Sequence, residues 1–301
     1  MRAVRYVLFW GIFLVLLWCV SLLLLPKENT AAAGMEERDI PAAGVEAEPA
    51  GSLDVVIIGD SESQSGISPM ELWQNQGISS YVCAQPGQRA VEAYYMLKRV
   101  LRRQSPKLVI LETDLFYHFH GIDTESRYSA EKAAQYYFPV FKYHRRWKSL
   151  TKEDWKMKRN FVERNPLKGY LPNYEQKPYM NGAYMKETDE REYISPAVTF
   201  WVDRIVARCR EKGIKVLLVG IPAPKNWDRR RHNGVNAYAA RTGIPYLDLN
   251  LPDSNLQMDW SRDSRDEGDH LNTYGAMKVS RYLGEYLKAN YTLPDCRMNE
   301  E

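Results

Sequence analysis

Short apolar segments that alternate with helical patterns constrain the fold of this chain more than any other feature of the sequence. Continuous apolar runs of this length are typical of parallel strands that are covered on both faces. Alternation of such strands with amphipathic helices predicts βαβ units. We therefore expect an α/β three-layer sandwich with a parallel sheet of about five strands, at residues 54–59, 78–84, 107–113, 214–222 and 244–250.

Helical patterns fill the intervals between these segments. Apolar and aromatic residues recur at helical spacing with basic residues between them, which is typical of amphipathic helices. Gly213 and Gly243 end two of the patterns, as expected for glycines at helix C-caps. The predicted helices are residues 88–104, 198–213, 228–242 and 272–290.

The N-terminal region contains an uncharged apolar run from Tyr6 to Leu25. As a helix, this run would span roughly 30 Å at about 1.5 Å per residue, which matches the hydrocarbon core of a bilayer. Arg2 and Arg5 precede it, so the positive-inside rule places the N-terminus in the cytoplasm and the rest of the chain outside. We expect an uncleaved, single-pass anchor in the cell membrane. A cleaved signal peptide, with a site near residues 30–34, is the alternative.

Composition divides the chain into an anchor, a tether and a domain. Residues 1–25 form the cytoplasmic tip and the transmembrane anchor. Residues 26–53 are rich in Ala, Glu, Pro and Gly and predict a flexible tether. The α/β domain follows over residues 54–295. Within it, residues 115–195 are aromatic and basic and too long for a plain loop, so we expect an insertion that forms part of a site wall.

The overall charge argues against a nucleic-acid partner. Lys and Arg number 41 and Asp and Glu number 38, which leaves a net charge of +3. The four cysteines form no CxxC pair and no metal-binding spacing. His118 and His120 have the HxH spacing of some metal sites, but no third ligand is evident near them. We expect neither a metal nor a cofactor.

A serine and a histidine fall at the same edge of the predicted sheet. Ser61 ends a Gly-Asp-Ser sequence directly after the first strand, and His270 lies between the last strand and the final helix. Ligands bind at the carboxyl edge of open parallel sheets. A serine nucleophile needs a base and an acid that orients the base. Three carboxylates lie within four residues of His270: Asp266, Glu267 and Asp269.

These two motifs, "GDS" after an apolar first strand and "D…HLN..GA" before the C-terminal helix, resemble those of the SGNH/GDSL hydrolases. The resemblance covers residues 54–290 without the insertion. It implies a flavodoxin-like sheet, with Ser61 as the nucleophile and His270 as the catalytic base.

The resemblance also implies oxyanion donors and an acid. The backbone N–H groups of Ser61 and Gly87 correspond to two of the family's donors. The third is an Asn after the third strand, where this chain has Asp114 or Thr113. A carboxylate facing a developing oxyanion would raise the barrier unless it is protonated or turned away.

Family members commonly carry an Asp three residues before the histidine, where this chain has Glu267. Neighbouring residues on a turn point in different directions, so Asp269 has the least favourable position for a hydrogen bond to Nδ1 of His270. We rank Asp266 first, Glu267 second and Asp269 third.

The predicted anchor and the basic stretch "KYHRRW" (residues 142–147) are similar to those of anchored members that work beside membrane-bound O-acyltransferases in alginate, cellulose or teichoic-acid modification. This implies a membrane-anchored extracytoplasmic serine esterase or O-acyltransferase acting on acyl groups of a cell-envelope polysaccharide or teichoic acid. The alternative is a non-catalytic accessory protein that binds a polymer or a membrane-bound O-acyltransferase. Residues 143–159 are either a solvated face or a track for an anionic or sugar polymer, with Trp147 and Trp155 as stacking surfaces.

Overall fold

The chain divides into two compact units in a computed structural model that describes residues 2–156, 159–252 and 256–299. The first, which we call the anchor unit, comprises Met1–Ile40 and Gly121–Glu163. The second, the α/β unit, comprises Pro41–His120 and Arg164–Glu301. Each unit is therefore built from two separate stretches of sequence.

A five-stranded parallel sheet forms the centre of the α/β unit, which confirms the predicted fold class. The sheet order is β2-β1-β3-β4-β5, the order found in flavodoxin-like folds. In such sheets, the strand order reverses at β1, and ligands bind beyond the carboxyl ends of the strands beside that point. The strands are β1 (Val55–Gly59), β2 (Ser80–Ala84), β3 (Leu108–Glu112), β4 (Lys215–Gly220) and β5 (Tyr246–Asp248).

Helices flank the sheet in the α/β unit and make up most of the anchor unit. The α-helices are α1 (Arg2–Leu24), α2 (Ile40–Ala43), α3 (Ser61–Gly66), α4 (Pro69–Gln76), α5 (Ala90–Val100), α6 (Ile122–Tyr137), α7 (Val140–Tyr143), α8 (Pro196–Glu211), α9 (Arg229–Thr242) and α10 (Thr273–Asn290). Short 3-10 helices lie at Glu37–Asp39, Gly44–Ala47, Thr113–Phe116, His144–Ser149, Asp154–Lys156 and Cys296–Asn299.

The core lies on both faces of the sheet, because successive side chains of a strand point in opposite directions. Val56 and Ile58 of β1 pack on the face that α5 and α8 cover. Val55 and Ile57 pack on the other face, with Leu72 of α4 and side chains of α10. Full burial of one such side chain contributes about 1.5–3 kcal/mol to folding. The continuous apolar run in the sequence reflects this burial on both faces.

The segment predicted as a flexible tether differs from that prediction over residues 41–53. Val45 is 1% exposed and belongs to the core of the α/β unit. The Glu48 carboxylate pairs with Lys168 at 2.8 Å, and Pro49 O accepts a hydrogen bond from Gln104 at 2.9 Å. Single small apolar residues thus pack against the core although the segment has a linker-like composition.

The predicted insertion over residues 115–195 is divided between the two units and is not a single piece. Its central part, residues 121–163, belongs to the anchor unit, and its flanks belong to the α/β unit. Residues 157 and 158 of the basic stretch lie outside the described residues.

The N-terminal apolar run lies within α1, whose length and composition are sufficient to cross a membrane. A signal sequence would satisfy the same two criteria. Most side chains of this helix are exposed, and those of Ser21 and Leu24 in its last turn are buried.

Candidate active site

Ser61 lies at the carboxyl end of β1, where the strand turns directly into α3. The Asp60 side chain caps this helix by accepting a hydrogen bond from the backbone N–H of Glu62 at 2.9 Å. The turn also requires a glycine at position 59, because a Cβ there would lie 1.8 Å from Oγ of Ser63 and 2.6 Å from Cβ of Glu112. The Gly-Asp-Ser sequence therefore has a local structural reason at each of its first two positions.

Ser61, His270 and Asp266 form a continuous hydrogen-bonded chain. Nε2 of His270 is 2.9 Å from Oγ of Ser61, and Nδ1 is 2.7 Å from Oδ2 of Asp266. Oδ1 of the same carboxylate accepts a hydrogen bond from the backbone N–H of His270 at 2.6 Å. The carboxylate therefore holds both the ring and the backbone of the histidine, while the other ring nitrogen faces the serine hydroxyl.

The other two candidate acids lie elsewhere. Oδ2 of Asp269 is 3.8 Å from Nδ1 of His270, which is beyond hydrogen-bond distance, and its Oδ1 accepts a hydrogen bond from Asn226. Glu267 is exposed and has a positive φ of 65°. Among the three carboxylates near the histidine, Asp266 is the one in contact with Nδ1.

A tight turn brings Asp266 back to the histidine. Oγ of Ser264 accepts hydrogen bonds from the N–H groups of Asp266 at 3.3 Å and Gly268 at 2.6 Å. Gly268 has a φ of +91°, and a Cβ there would lie 2.7 Å from the ring of Tyr179. The turn accommodates a spacing of four residues between acid and base. This is one residue more than the spacing common in the SGNH/GDSL hydrolases that the sequence resembles.

The predicted oxyanion donor Gly87 lies in the turn after β2 with a φ of +62°. Apart from Gly87 itself and its two chain neighbours, no heavy atom of the described residues lies within 4 Å of the position that a Cβ would occupy there, so this side of the turn is open. Nε2 of Gln88 donates a hydrogen bond to Gly59 O at 2.8 Å, which ties the turn to the carboxyl end of β1. The donor roles of the Gly87 and Ser61 backbone groups stay predictions.

Asp114 is a poor match for the third oxyanion donor. Its Oδ1 accepts a hydrogen bond from Arg231 at 3.0 Å, and its Oδ2 is 3.1 Å from Nε2 of His118. Burial alone would raise the pKa of Asp114, but its hydrogen bond and charge interaction with His118 and the charge of Arg231 lower that pKa below its usual value. An ionised carboxylate only accepts hydrogen bonds. The backbone N–H of Asp114 donates to Glu112, and the alternative candidate, Thr113, is fully buried.

Sequence reasoning missed the position of His118. Its Nε2 is 2.6 Å from Oδ2 of Asp60, the residue before the serine, and also contacts Asp114. Burial alone would lower the pKa of His118, but hydrogen bonds with Asp114 and Asp60 raise it to about 10. The ring is therefore an imidazolium at neutral pH. The HxH spacing had no bearing on this arrangement, since His120 is exposed.

Two buried glutamic acids lie close to this network. Burial, followed by the charges of Asp60 and Asp114, raises the pKa of both Glu62 and Glu112 well above the usual value. Oε1 of Glu112 accepts the N–H of Asp114, while Oε2 of each glutamic acid has no hydrogen-bond partner among the described residues.

Two groups of side chains in the described part of the chain have ligand atoms within 4.8 Å of one another, as a metal site requires. One contains Asp60, Asp114 and His118, and the other Glu62, Asp269 and His270. In the first group, the positive charges of His118 and Arg231 balance the negative charges of the two aspartates without a metal ion.

Comparisons with known proteins give weak likenesses. No protein-family model and no curated protein sequence matches the chain. Among solved structures, a lipase/acylhydrolase from Enterococcus faecalis has a TM-score of 0.42 at 11% identity, with 80% of this chain and 99% of that chain covered. A GDSL-like lipase from Bacteroides thetaiotaomicron has a TM-score of 0.40 at 12% identity, covering 78% and 87%. The acetyl xylan esterase AlAXEase has a TM-score of 0.39 at 14% identity, covering 78% and 98%. Likenesses at this level carry no conclusion about activity.

Proposed function

We propose that this protein is a serine esterase or O-acyltransferase with Ser61 as its nucleophile. The observation that supports this proposal best is the chain of hydrogen bonds from Ser61 through His270 to Asp266. A serine hydroxyl becomes nucleophilic when a neighbouring base takes its proton and a third group orients that base. All three side chains are partly buried, so a substrate can reach them while the surrounding protein lowers the local dielectric constant.

The proposed reaction has two steps. In the first, Nε2 of His270 takes the proton of Ser61 as Oγ attacks the acyl carbonyl, and the imidazolium then gives that proton to the leaving alcohol as the ester bond breaks. In the second, His270 takes a proton from water or from an acceptor hydroxyl, whose oxygen attacks the acyl-enzyme. The imidazolium then returns that proton to Oγ of Ser61 as the bond between Oγ and the acyl group breaks. Asp266 stabilises the imidazolium in both steps. The backbone N–H groups of Ser61 and Gly87 are the proposed donors to the oxyanion.

We infer further that the enzyme works at a cell membrane on acyl groups of a cell-envelope polysaccharide or teichoic acid, beside a membrane-bound O-acyltransferase. The length of α1 and the two arginines before its apolar run support a retained single-pass anchor with the N-terminus in the cytoplasm. The sequence resemblance to anchored SGNH/GDSL hydrolases supports the substrate class.

A non-catalytic accessory protein is the second candidate. Its support comes from Asp114, which stands where an oxyanion donor is expected and is instead bound to His118 and Arg231. A protein that only binds a polymer or an acyltransferase would need the fold but no complete donor set.

Covalent labelling separates the two candidates. The purified full-length protein in detergent is treated with a fluorophosphonate probe, and p-nitrophenyl acetate hydrolysis is measured in parallel. We expect labelling and turnover in the wild type and neither in Ser61→Ala. Ser63→Ala is the matched control, because it removes a buried hydroxyl two residues away and should keep both signals. A correctly folded wild type without label and without turnover would contradict the esterase proposal.

A further inference from the structure

The anchor unit encloses the end of α1. Oγ of Ser21 accepts a hydrogen bond from Val140 N of α7 at 3.4 Å, and Leu24 O accepts one from Arg146 at 2.8 Å. Lys27 donates to Leu22 O and, at 3.0 Å, to Leu25 O. The last carbonyls of a helix have no partner within the helix. Here side chains of the same unit supply those partners, so the residues around α7 are fixed to the helix end.

The geometry of α1 sets the depth of these contacts in a bilayer. The uncharged run ends at Leu25, and Ser21 lies about 6 Å before it along the helix axis at roughly 1.5 Å per residue. If α1 spans the hydrocarbon core, the segment that contacts Ser21 and Leu24 lies where the hydrocarbon meets the headgroups. We call residues 138–156 of the anchor unit the collar.

Large aromatic side chains of the collar are exposed. Trp147 is 65%, Trp155 66% and Phe141 51% exposed. Nζ of Lys148 lies 5.5 Å from the centre of the Trp147 ring, and further basic side chains accompany it along this stretch. Trp is enriched at membrane–water interfaces, and basic residues beside it attract anionic lipids. Exposure of these large aromatic side chains to water is unfavourable, whereas the headgroup layer of a bilayer accommodates them.

We propose that the collar is a membrane-contact surface that lies in the headgroup region of the bilayer spanned by α1, with Trp147 and Trp155 at the hydrocarbon boundary. A bilayer is favoured over a soluble polymer because the collar holds the end of the spanning helix through Val140 and Arg146. The contact rests on α1 as a retained anchor. It does not depend on the chemistry of Ser61.

Fluorine NMR of the full-length protein in lipid nanodiscs tests the proposal. All tryptophans are replaced biosynthetically by 5-fluorotryptophan, and the lines of the two collar tryptophans are assigned with Trp147→Phe and Trp155→Phe. One sample contains lipid with a spin label in the headgroup, one contains lipid with a label deep in the acyl chain, and one contains a water-soluble gadolinium chelate. Trp18, which lies seven residues inside the nearer end of the apolar run of α1, and the buried Trp227 serve as internal references.

We expect the lines of Trp147 and Trp155 to be lost with the headgroup label and to persist with the chelate. The line of Trp18 should be lost with the deep label, and that of Trp227 should persist with the chelate. Loss of both collar lines to the chelate, without an effect of the headgroup label, would overturn the proposal. A shift of those solvated lines on addition of an anionic polysaccharide would favour a polymer track instead. A Trp18 line that the deep label leaves unaffected would also overturn it, because α1 would then not cross the bilayer.

Discussion

Two histidines lie beside the turn that carries Ser61, and they differ in what their Nε2 atoms contact. His270 contacts one carboxylate through Nδ1 and presents Nε2 to the Ser61 hydroxyl. His118 presents Nε2 to two carboxylates, Asp60 and Asp114. The first ring has a nitrogen left to accept a proton from a hydroxyl. The second is held as a cation, with a pKa raised to about 10.

This difference in contacts indicates a chemical role for His270 and a positioning role for His118. A general base must lose and regain a proton near the operating pH, which an imidazolium between two carboxylates does not do. Asp60 precedes the nucleophile and caps α3, so a charged His118 holds that cap in place. Both histidines serve the same turn, but only His270 is expected to move a proton.

The largest predicted effect concerns the two histidines themselves. His270→Gln should lower kcat by about 10⁴-fold or more, because it removes the proton acceptor of a group that acts as a unit. His118→Gln should lower kcat by about 10-fold or less, since that ring transfers no proton. Ester hydrolysis by the two purified variants measures both. Equal losses would remove the distinction between the two histidines.

The next effect concerns the acid. Asp266→Asn should lower kcat by about 10³- to 10⁴-fold, because an amide at Nδ1 favours the wrong ring tautomer. Asp269→Asn should cost less than about 10-fold, since that carboxylate lies beyond hydrogen-bond distance of the ring. Glu267→Gln, at an exposed position, is the control. A larger loss in Asp269→Asn than in Asp266→Asn would refute the assignment.

A smaller effect concerns stability and pH. His118→Gln removes the cation in contact with the buried Asp60 carboxylate and leaves Asp114 with Arg231 alone, which costs about 3 kcal/mol at pH 6. The folded pKa of His118 is raised to about 10. The stabilisation is therefore fully present below the unfolded pKa of about 6.5 and is lost as the pH rises through 10. Urea unfolding of both proteins at pH 6, 8 and 10 should show a shrinking difference. A constant difference would mean that the imidazolium is not its source.

The smallest effect concerns Glu112, the buried glutamic acid beside the His118 network. The folded pKa of Glu112 is raised, mainly by burial, so ionisation of this group favours the unfolded state as the pH rises above its unfolded value. Glu112→Gln keeps the acceptor for Asp114 N–H and removes this penalty. We expect the unfolding temperature of Glu112→Gln to exceed that of the wild type by a margin that increases from pH 5 to pH 8. Glu112→Ala, which loses the acceptor, should destabilise at both pH values.

The sequence predicted the sheet well because its signal is local. The expected strand at residues 54–59 corresponds to Val55–Gly59, and residues 107–113 to Leu108–Glu112. The low rank given to Asp269 also agrees with the observed contacts, since it followed from side-chain direction on a turn. Periodicity and turn geometry are properties of short segments.

The His118 network was not predictable in the same way. Asp60 and His118 are 58 residues apart, and they meet because β1 pairs with β3. Strand order is a property of the whole sheet, and no local pattern near His118 reports it. Val45 was missed for a related reason, because a single buried side chain in a polar, Ala-rich segment leaves no periodic signal.

The pairing of Leu24 with Arg146, 122 residues apart, also bears on the order of assembly. At about 5–20 residues per second of synthesis, Arg146 emerges roughly 6–24 seconds after the helix end that it binds. The strands β1, β2 and β3 are made during that interval. The whole of α1 is therefore synthesised before the segment that closes over its end exists, and the anchor unit is completed only after the first half of the sheet has been synthesised.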